Sequence, residues 1–508
     1  MTWSYLDLGR DAVKRRDALT AVGWFHRALA DQPDDPDAQA WLGRSLCHLG
    51  RVAEGAPHLR AAARTWLGPE RRRLDRGLEV ASDLQKWGDF DSALAALRSL
   101  VEAEPDNAQA LQMLAAICGQ LNLTEAGLEA GARALRLDPR NQMLAVLQGS
   151  LEADADMPAA ARQRLEAVLA DRPGPREAFR AHKELARVLD RLGEHDAVFP
   201  HLEAAADLAP QLPEFRMHDP RLVPQLIEQN DRSFDAALLG RWTAADLAGA
   251  ARAPIFVMGF FRSGTTLTQQ VLAAGAGAFV ADEAGLIWEL RRELQQRAPA
   301  GADLAKVLRA LDLEAVLELR RRYWELARAR YGDDADRPVF VDKFTMNMLD
   351  IGLINLVFPD ARVVFMLRDP RDVCVSCVMQ LMVPSPATIH LLTWRGAVGF
   401  YAEAMDFWLA MRERLTIPIL EVRYEDATTA FEATYRQLFD ALGLDWNPAA
   451  EQFHRHAAGK HIASPSRNQV ARPLYQSSVG RWRRFPRPIA EAEAILAPLA
   501  HDLGYAWR

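Results

Sequence analysis

An arginine, a serine and two threonines threaded between two glycines are residues from which a backbone can build an oxyanion cradle. Residues 254–267 hold that set: Pro254-Ile255-Phe256-Val257-Met258-Gly259-Phe260-Phe261-Arg262-Ser263-Gly264-Thr265-Thr266-Leu267. An apolar run ends at Gly259, Gly264 stands five residues on, and Thr265 and Thr266 lead into a helical pattern through Leu267, Val271 and Leu272. Such a loop turns N–H groups and a helix N-terminus on an anion. The nucleotide-triphosphatase form ends Gly-Lys-Ser/Thr, its lysine reaching the β/γ-phosphates. Here Thr265 takes the lysine's place and the positive charge is Arg262, so the expected ligand is phosphate-like but not ATP held with magnesium. The plain alternative is an ordinary strand–helix turn. Ser263 is not a nucleophile elbow, because Gly-x-Ser-x-Gly would need glycine where Phe261 stands.

From Pro254 onward short apolar runs alternate with helical stretches, which predicts βαβ units and a parallel sheet. The expected strands are 254–259, 277–281, 338–342, 361–367 and 417–423. Ligands of an open α/β sheet sit at the carboxyl ends of its strands. The residues found there are Asp282 and Glu283, Asp342 and Lys343, Arg368 and Asp369 with Ser376 downstream, and Arg423, Tyr424 and Glu425. Singly each is more often a solvated loop residue; together, beside a phosphate loop, they suit an anionic nucleotide. Phe431, Tyr435, Leu438, Phe439 and Leu442 share one helix face that stops at Gly443. The charged stretch 284–333 reads as helices covering one side of the sheet, with a possible part in a substrate lip.

The first 210 residues are rich in Ala, Leu, Arg, Asp and Glu and nearly free of strand-like runs. Pro105, Pro139 and Pro173 recur every 34 residues, and Gly50, Gly88, Asn122, Asp156 and Gly193 fall midway as tight turns. A 34-residue helix–turn–helix period resembles the tetratricopeptide repeat, and about five units fit. Such an array presents a groove for an extended peptide, or it braces or dimerises its neighbour. Residues 211–253 read as a helical connector.

The 508 residues allow two or three domains. A net charge of −7 excludes a protein that coats nucleic acid, so any anion site is local. No apolar run approaches a membrane span of ~18 residues, no secretory signal is visible, and four cysteines are too few for a disulfide framework; the expectation is a cytoplasmic protein.

Residues 254–508 resemble the sulfotransferases that use 3′-phosphoadenosine 5′-phosphosulfate (PAPS), within them the protein-tyrosine branch, and the whole chain resembles bacterial proteins joining tetratricopeptide repeats to such a domain. The match rests on Phe260–Thr266, Asp342-Lys343, Arg368-Asp369-Pro370-Arg371 with Ser376, Val422-Arg423-Tyr424-Glu425, and the run from Ser466 to Trp482. It implies a P-loop-like α/β domain after the helical superhelix. It also implies that Arg262, Ser263, Gly264, Thr265 and Thr266 hold the 5′-phosphosulfate and that Arg368 and Ser376 hold the 3′-phosphate. Tyr424, Gln469 and Arg481 would complete the nucleotide site. Glu283 would be the general base, and Lys343 and Ser466 would stabilise charge on the sulfuryl group and bridging oxygen. No metal is called for, since arginines and N–H groups neutralise the leaving phosphate.

Two positions depart from the tyrosine-sulfating pattern: Gly285 stands where an acceptor-orienting arginine is found, and Gln380 where a further arginine meets the 3′-phosphate. The expected reaction is sulfuryl transfer from PAPS to a hydroxyl, a peptide tyrosine presented by the repeats or else a small-molecule or carbohydrate hydroxyl; the rival from another class is a non-catalytic repeat scaffold that binds the nucleotide. A homodimer is compatible with this reading. Cys374-x-x-Cys377 reads as a pair of packing residues rather than a zinc or redox site, and His454, His456 and His461 could suggest a metal but no carboxylate or cysteine at regular spacing completes a ligand set. Arg481, Arg483, Arg484 and Arg487 form either a solvated face or a site for an acidic peptide.

Overall fold

The computed structural model describes residues 4–507 except 71, 298–303, 458–461, 463–469, 471, 472 and 475. The chain divides into two compact units. One holds residues up to Ala155 with Trp324–Asp336, and the other runs through 156–323 and 337–457 and takes in the described residues from Ile462 on.

In the first unit, helices pack as antiparallel pairs: Tyr5–Lys14 with Ala18–Asp31, Pro36–His48 with Val52–Leu67, Leu74–Lys86 with Phe90–Ala103, and Ala108–Gln120 with Thr124–Leu137. The 34-residue interval has a local cause. Asn107 and Asn141, each two residues past the periodic proline, cap the next helix by accepting from Ala110 N–H at 2.9 Å and Leu144 N–H at 3.0 Å. Within each pair the chain reverses through one left-handed residue, and Gly50 (φ 78°), Gly88 (89°), Asn122 (58°), Asp156 (60°) and Gly193 (80°) all adopt it. Arg16 (φ 60°) turns the first pair in the same way. That turn was not expected from the sequence, because an arginine gives no turn signal.

Small residues let the paired helices approach. A Cβ added to Gly43 would lie 2.9 Å from Gly55 O, and one added to Gly55 would lie 2.7 Å from Gly43 O. The apolar core beneath is continuous, from Leu59 and Trp66 through Val80, Leu97 and Leu111 to Leu151.

The second unit begins with Pro158–Ala170 and the hairpin of Pro175–Leu192 and Val198–Leu208, and then builds the sheet. Strands β1 (Ile255–Gly259), β2 (Phe279–Asp282), β3 (Phe340–Lys343), β4 (Arg362–Leu367) and β5 (Ile419–Arg423) are all parallel, in the order β2-β3-β1-β4-β5. All five expected strands are present. One face packs Val257, Val341, Val364 and Val422 under the loop helix Thr265–Gly275 and under Tyr435, Leu438 and Phe439 of Phe431–Leu442. On the other face Phe365 stacks on Trp408 at 3.5 Å, and Phe256 meets Tyr323 and Phe358. The stretch after 284 is helical as expected, at Leu286–Arg297, Leu304–Ala310 and Leu313–Tyr331. Two of its arginines are core residues: Arg291 pairs with Asp350 at 2.5 Å, and Arg320 takes both carboxylate oxygens of Asp360. The connector helix Leu222–Ser233 is fixed by Asn230, which accepts from Arg291 and donates to Leu349 O.

Replacing Gly55 by valine should cost about 1–3 kcal/mol, because the paired backbone cannot retreat without opening the core. Urea unfolding followed by circular dichroism reads it; Gly23→Val, where a Cβ meets nothing within 4 Å, is the comparison.

Candidate active site

Strand order fixes where a ligand belongs. From β1 the chain crosses to β2 and returns through β3, then restarts on the opposite side with β4, so the topology switches between β1 and β4. Gly259, the last residue of β1, lies in register with Met366 of β4, and Arg368 follows just beyond. The phosphate-type loop and the arginine motif therefore emerge side by side.

The loop is held in a demanding conformation. Gly259 has φ 150° and Gly264 φ 109°; a Cβ would meet Met366 O at 2.6 Å in the first case and the Tyr424 ring at 2.7 Å in the second. Arg262 itself is left-handed (φ 65°). Its Nε donates to Ser376 Oγ at 3.0 Å, on the helix Pro370–Met379 that follows β4. Arg368 donates through Nη1 to Arg262 O (3.0 Å) and through Nη2 to Ser478 O (2.5 Å), and its guanidinium lies 4.5 Å from the centre of the Tyr424 ring. Among the described residues, its Nε and Ser263 Oγ are buried with no protein partner. Arg262, Ser263, Thr265, Thr266, Arg368 and Ser376 are all buried. Such a cluster of guanidinia and hydroxyls at a helix N-terminus suits an oxyanion.

Two strands away a second cluster forms. Glu283 N–H donates to Lys343 O at 2.8 Å, prolonging the β2–β3 pairing, and the fully buried Lys343 Nζ reaches Glu283 Oε1 at 2.6 Å and Asp282 Oδ1 at 3.0 Å. Burial pushes the Glu283 carboxyl above its ordinary value, Lys343 pulls it back, and Asp282 adds to the rise. The Lys343 ammonium is held above its ordinary value because the two carboxylates outweigh desolvation. Asp342, one residue earlier on β3, points to the other face, where it accepts from Tyr323 Oη (2.8 Å) and Asn347 Nδ2 (3.1 Å); burial raises it to about 6. Adjacent in sequence, Asp342 and Lys343 thus serve opposite faces.

Glu283 is left-handed as well (φ 52°). Among the described residues from 254 on, Arg262 and Glu283 are the non-glycine residues with positive φ, and strain of this kind collects at functional sites. Gly285 follows at φ 64°, so an arginine there would meet a backbone that favours glycine.

Beyond these clusters, Ser466 and Gln469 lie outside the described residues. Arg481 is bound to Asp190 through Nη2 (2.7 Å) and Nε (3.1 Å), and Arg484 joins the same carboxylate at 3.1 Å. Arg483 lies over Trp482, and Arg487 pairs with Glu491. Cys374 and Cys377 are buried free thiols; His461 is outside the described residues, and no metal-type cluster occurs among those described.

A profile described as "Sulfotransferase family" matches residues 254–448, the segment that carries both clusters. These residues form a sulfotransferase domain. A profile described as "Tetratricopeptide repeat" matches 6–69 and 79–141. An uncharacterized protein of Aquifex aeolicus (strain VF5) is 27% identical over 322 residues, covering 61% of this chain and 40% of that protein; the chain thus spans two-fifths of that relative's length. Among solved structures, the sulfotransferase domain from the curacin biosynthetic pathway is 21% identical at a TM-score of 0.36, covering 51% of this chain and 99% of that one. MamA 41-end from Desulfovibrio magneticus RS-1 is 19% identical at a TM-score of 0.28, covering 33% and 92%.

Within the sulfotransferase domain, sequence reasoning quoted Arg371 without a role and passed over Asp372. Arg371 grips Asp369 through both carboxylate oxygens, lies 3.8 Å from the centre of the Trp482 ring, and donates to Ala506 O and Trp507 O. Asp372 accepts from Gly480 N–H (2.7 Å) and Trp482 N–H (2.9 Å). The charged spacing Arg368-Asp369-Pro370-Arg371-Asp372 was visible, but partners more than 100 residues away were not.

Lys343→Met would leave two carboxylates facing each other without their cation. We expect a loss of about 3–5 kcal/mol at pH 8 by urea unfolding. The loss should shrink towards pH 5, because carboxyls whose folded-state pKa is raised lose stability as pH rises through it.

Proposed function

We propose that the sulfotransferase domain transfers a sulfuryl group from PAPS to an acceptor hydroxyl. The observation that carries this reading is the line of side chains along one sheet edge: Glu283 and Lys343 at β2–β3, then the Arg262 loop and Arg368 at β1–β4. An acid–base pair beside an oxyanion cradle is what in-line transfer between two oxygens requires.

The residues present fit a nucleotide donor with phosphate at both ends. Among the described residues, Arg368 Nε and Ser263 Oγ are buried polar atoms without a protein partner, and the glycines at 259 and 264 let the loop close on Met366 O and the Tyr424 ring where a Cβ would clash. Arg262 to Thr266 would hold the 5′ end, and Arg368 with Ser376 the 3′-phosphate. Tyr424, Gln469 and Arg481 would complete the nucleotide site. When bound, the donor supplies the sulfuryl group. Glu283 takes the proton from the acceptor hydroxyl, and its raised affinity for protons suits it to that task at neutral pH. Lys343, buried and firmly protonated, steadies the negative charge that grows on the transferred group and bridging oxygen, with Ser466 assisting.

The tetratricopeptide array supports an acceptor hydroxyl borne on a peptide or protein, a tyrosine above all. Gly285 favours a second reading, a small-molecule or carbohydrate hydroxyl, because the backbone at φ 64° does not suit the arginine that orients tyrosine in the relatives it resembles.

Thermal shift with PAP, the desulfated product, should stabilise the protein, and ATP–Mg should not; the reverse result overturns the reading. With an accepted hydroxyl in hand, Glu283→Gln should lower kcat by about 10²–10⁴-fold while PAP still binds. The acid limb of the wild-type kcat/KM profile should lie above the ordinary carboxylate value near 4.5, since protonation of Glu283 removes the base. A limb at or below that value would remove Glu283 from the role.

A further inference from the structure

The first helix of the hairpin, Pro175–Leu192, has a buried stripe at Phe179, Lys183, Ala186 and Asp190. Their spacing of four, three and four residues puts them on one face. A stripe so deeply covered should be apolar. Instead it carries a lysine 4% exposed and an aspartate 5% exposed, each costly to bury unless partnered.

Both partners lie on elements that carry the anion cluster. Lys183 Nζ donates to Val378 O, in the last turn of Pro370–Met379, where a cation also complements the helix dipole. That helix bears Ser376, which accepts from Arg262. Asp190 takes Arg481 and Arg484, and His195 Nδ1 lies 3.3 Å away. A carboxylate in the last turn of a helix opposes the dipole, so Asp190 relies on those cations.

The two arginines belong to the segment 478–484. Its backbone N–H groups at Gly480 and Trp482 are taken by Asp372, and its Ser478 O receives Arg368 Nη2. A continuous series of contacts therefore runs from Asp190 through this segment to Arg368 and on to Arg262 O. Asp372 holds the backbone of the segment and Asp190 holds its side chains. Burial lowers the Lys183 ammonium to about 8, consistent with a residue retained for a position rather than for solvation.

We propose that Asp190 and Lys183 are positioning residues of the anion site, supplied by a helix that lies outside the matched family segment. Asp190 sets the 478–484 segment over Arg368, and Lys183 sets the end of the helix that carries Ser376. Arg481, given to the nucleotide site above, is held in place by Asp190 and anchors the segment. The inference rests on the nucleotide-donor reading above.

The test is PAP affinity by calorimetry on the full chain, alongside thermal unfolding. Asp190→Asn should weaken PAP at least tenfold, with KM for PAPS rising while kcat changes less than threefold. Asp196→Ala, an exposed position on the same hairpin, should leave affinity unchanged. Arg484→Gln removes a partner of Asp190 without touching the buried stripe and should weaken PAP part-way. Because both changes act on one segment, the double variant should bind no worse than Asp190→Asn. If Asp190→Asn lowers Tm but binds PAP within twofold of wild type, the residue is structural only and the proposal fails. Should Asp190→Asn not fold, unchanged affinity in both Arg484→Gln and Lys183→Met overturns it equally. A wild-type protein that binds no PAP overturns the nucleotide reading itself, and this inference with it.

Discussion

A guanidinium removed from water must find acceptors or it destabilises whatever buries it, and Arg368 is the point at which this domain meets that demand. Its Nη atoms take a carbonyl from the β1 loop and one from residue 478, and its flat face lies along Tyr424 at the end of β5. Three chain segments far apart in sequence are thereby fixed to one planar group whose donors are rigidly arranged. Lysine would carry the charge but could not hold three directions at once. That geometry ties the 259–264 loop, at Arg262 O, to the 478–484 segment, at Ser478 O.

The sheet makes such a junction possible. With β1 central and the chain restarting at β4, two loops that never neighbour each other in sequence leave the sheet side by side. The same parallel order brings the ends of β2 and β3 together, and pairing continued by Glu283 N–H carries the carboxylate to Lys343. Charge is separated along the edge: cations gather at β1–β4, while a cation embraced by two carboxylates stands at β2–β3. One end gathers positive charge and the other closes a cation between carboxylates.

Much of this was legible in the residues. All five strands and five left-handed turns of the repeats carried local signals, in apolar runs and in Gly, Asn or Asp at the reversals. Glu283, Lys343, Arg262 and Arg368 stood out because they follow strands. What escaped notice was decided by distant partners. Arg16 adopts a turn its type does not announce. Arg291 and Arg320 read only as part of a charged helical stretch, yet Asp350 and Asp360 hold both guanidinia in the core. Lys183 and Asp190 drew no notice, since nothing nearby in sequence reveals that their face is covered. Asp342 looked like a site residue because it adjoins Lys343, and strand alternation sends it the other way.

The left-handed backbone at Arg262 and Glu283 has a consequence for anyone who engineers this chain. An L-residue with a side chain holds that conformation at a cost of roughly 1–2 kcal/mol, which glycine escapes. A search for thermostable variants that scores only the fold would therefore be drawn to glycine at both positions, and each gain would remove a group to which the proposed reaction gives a role. On the proposed reaction, stability and activity oppose each other at these two residues, and a protein improved without regard to them would gain robustness at the expense of turnover.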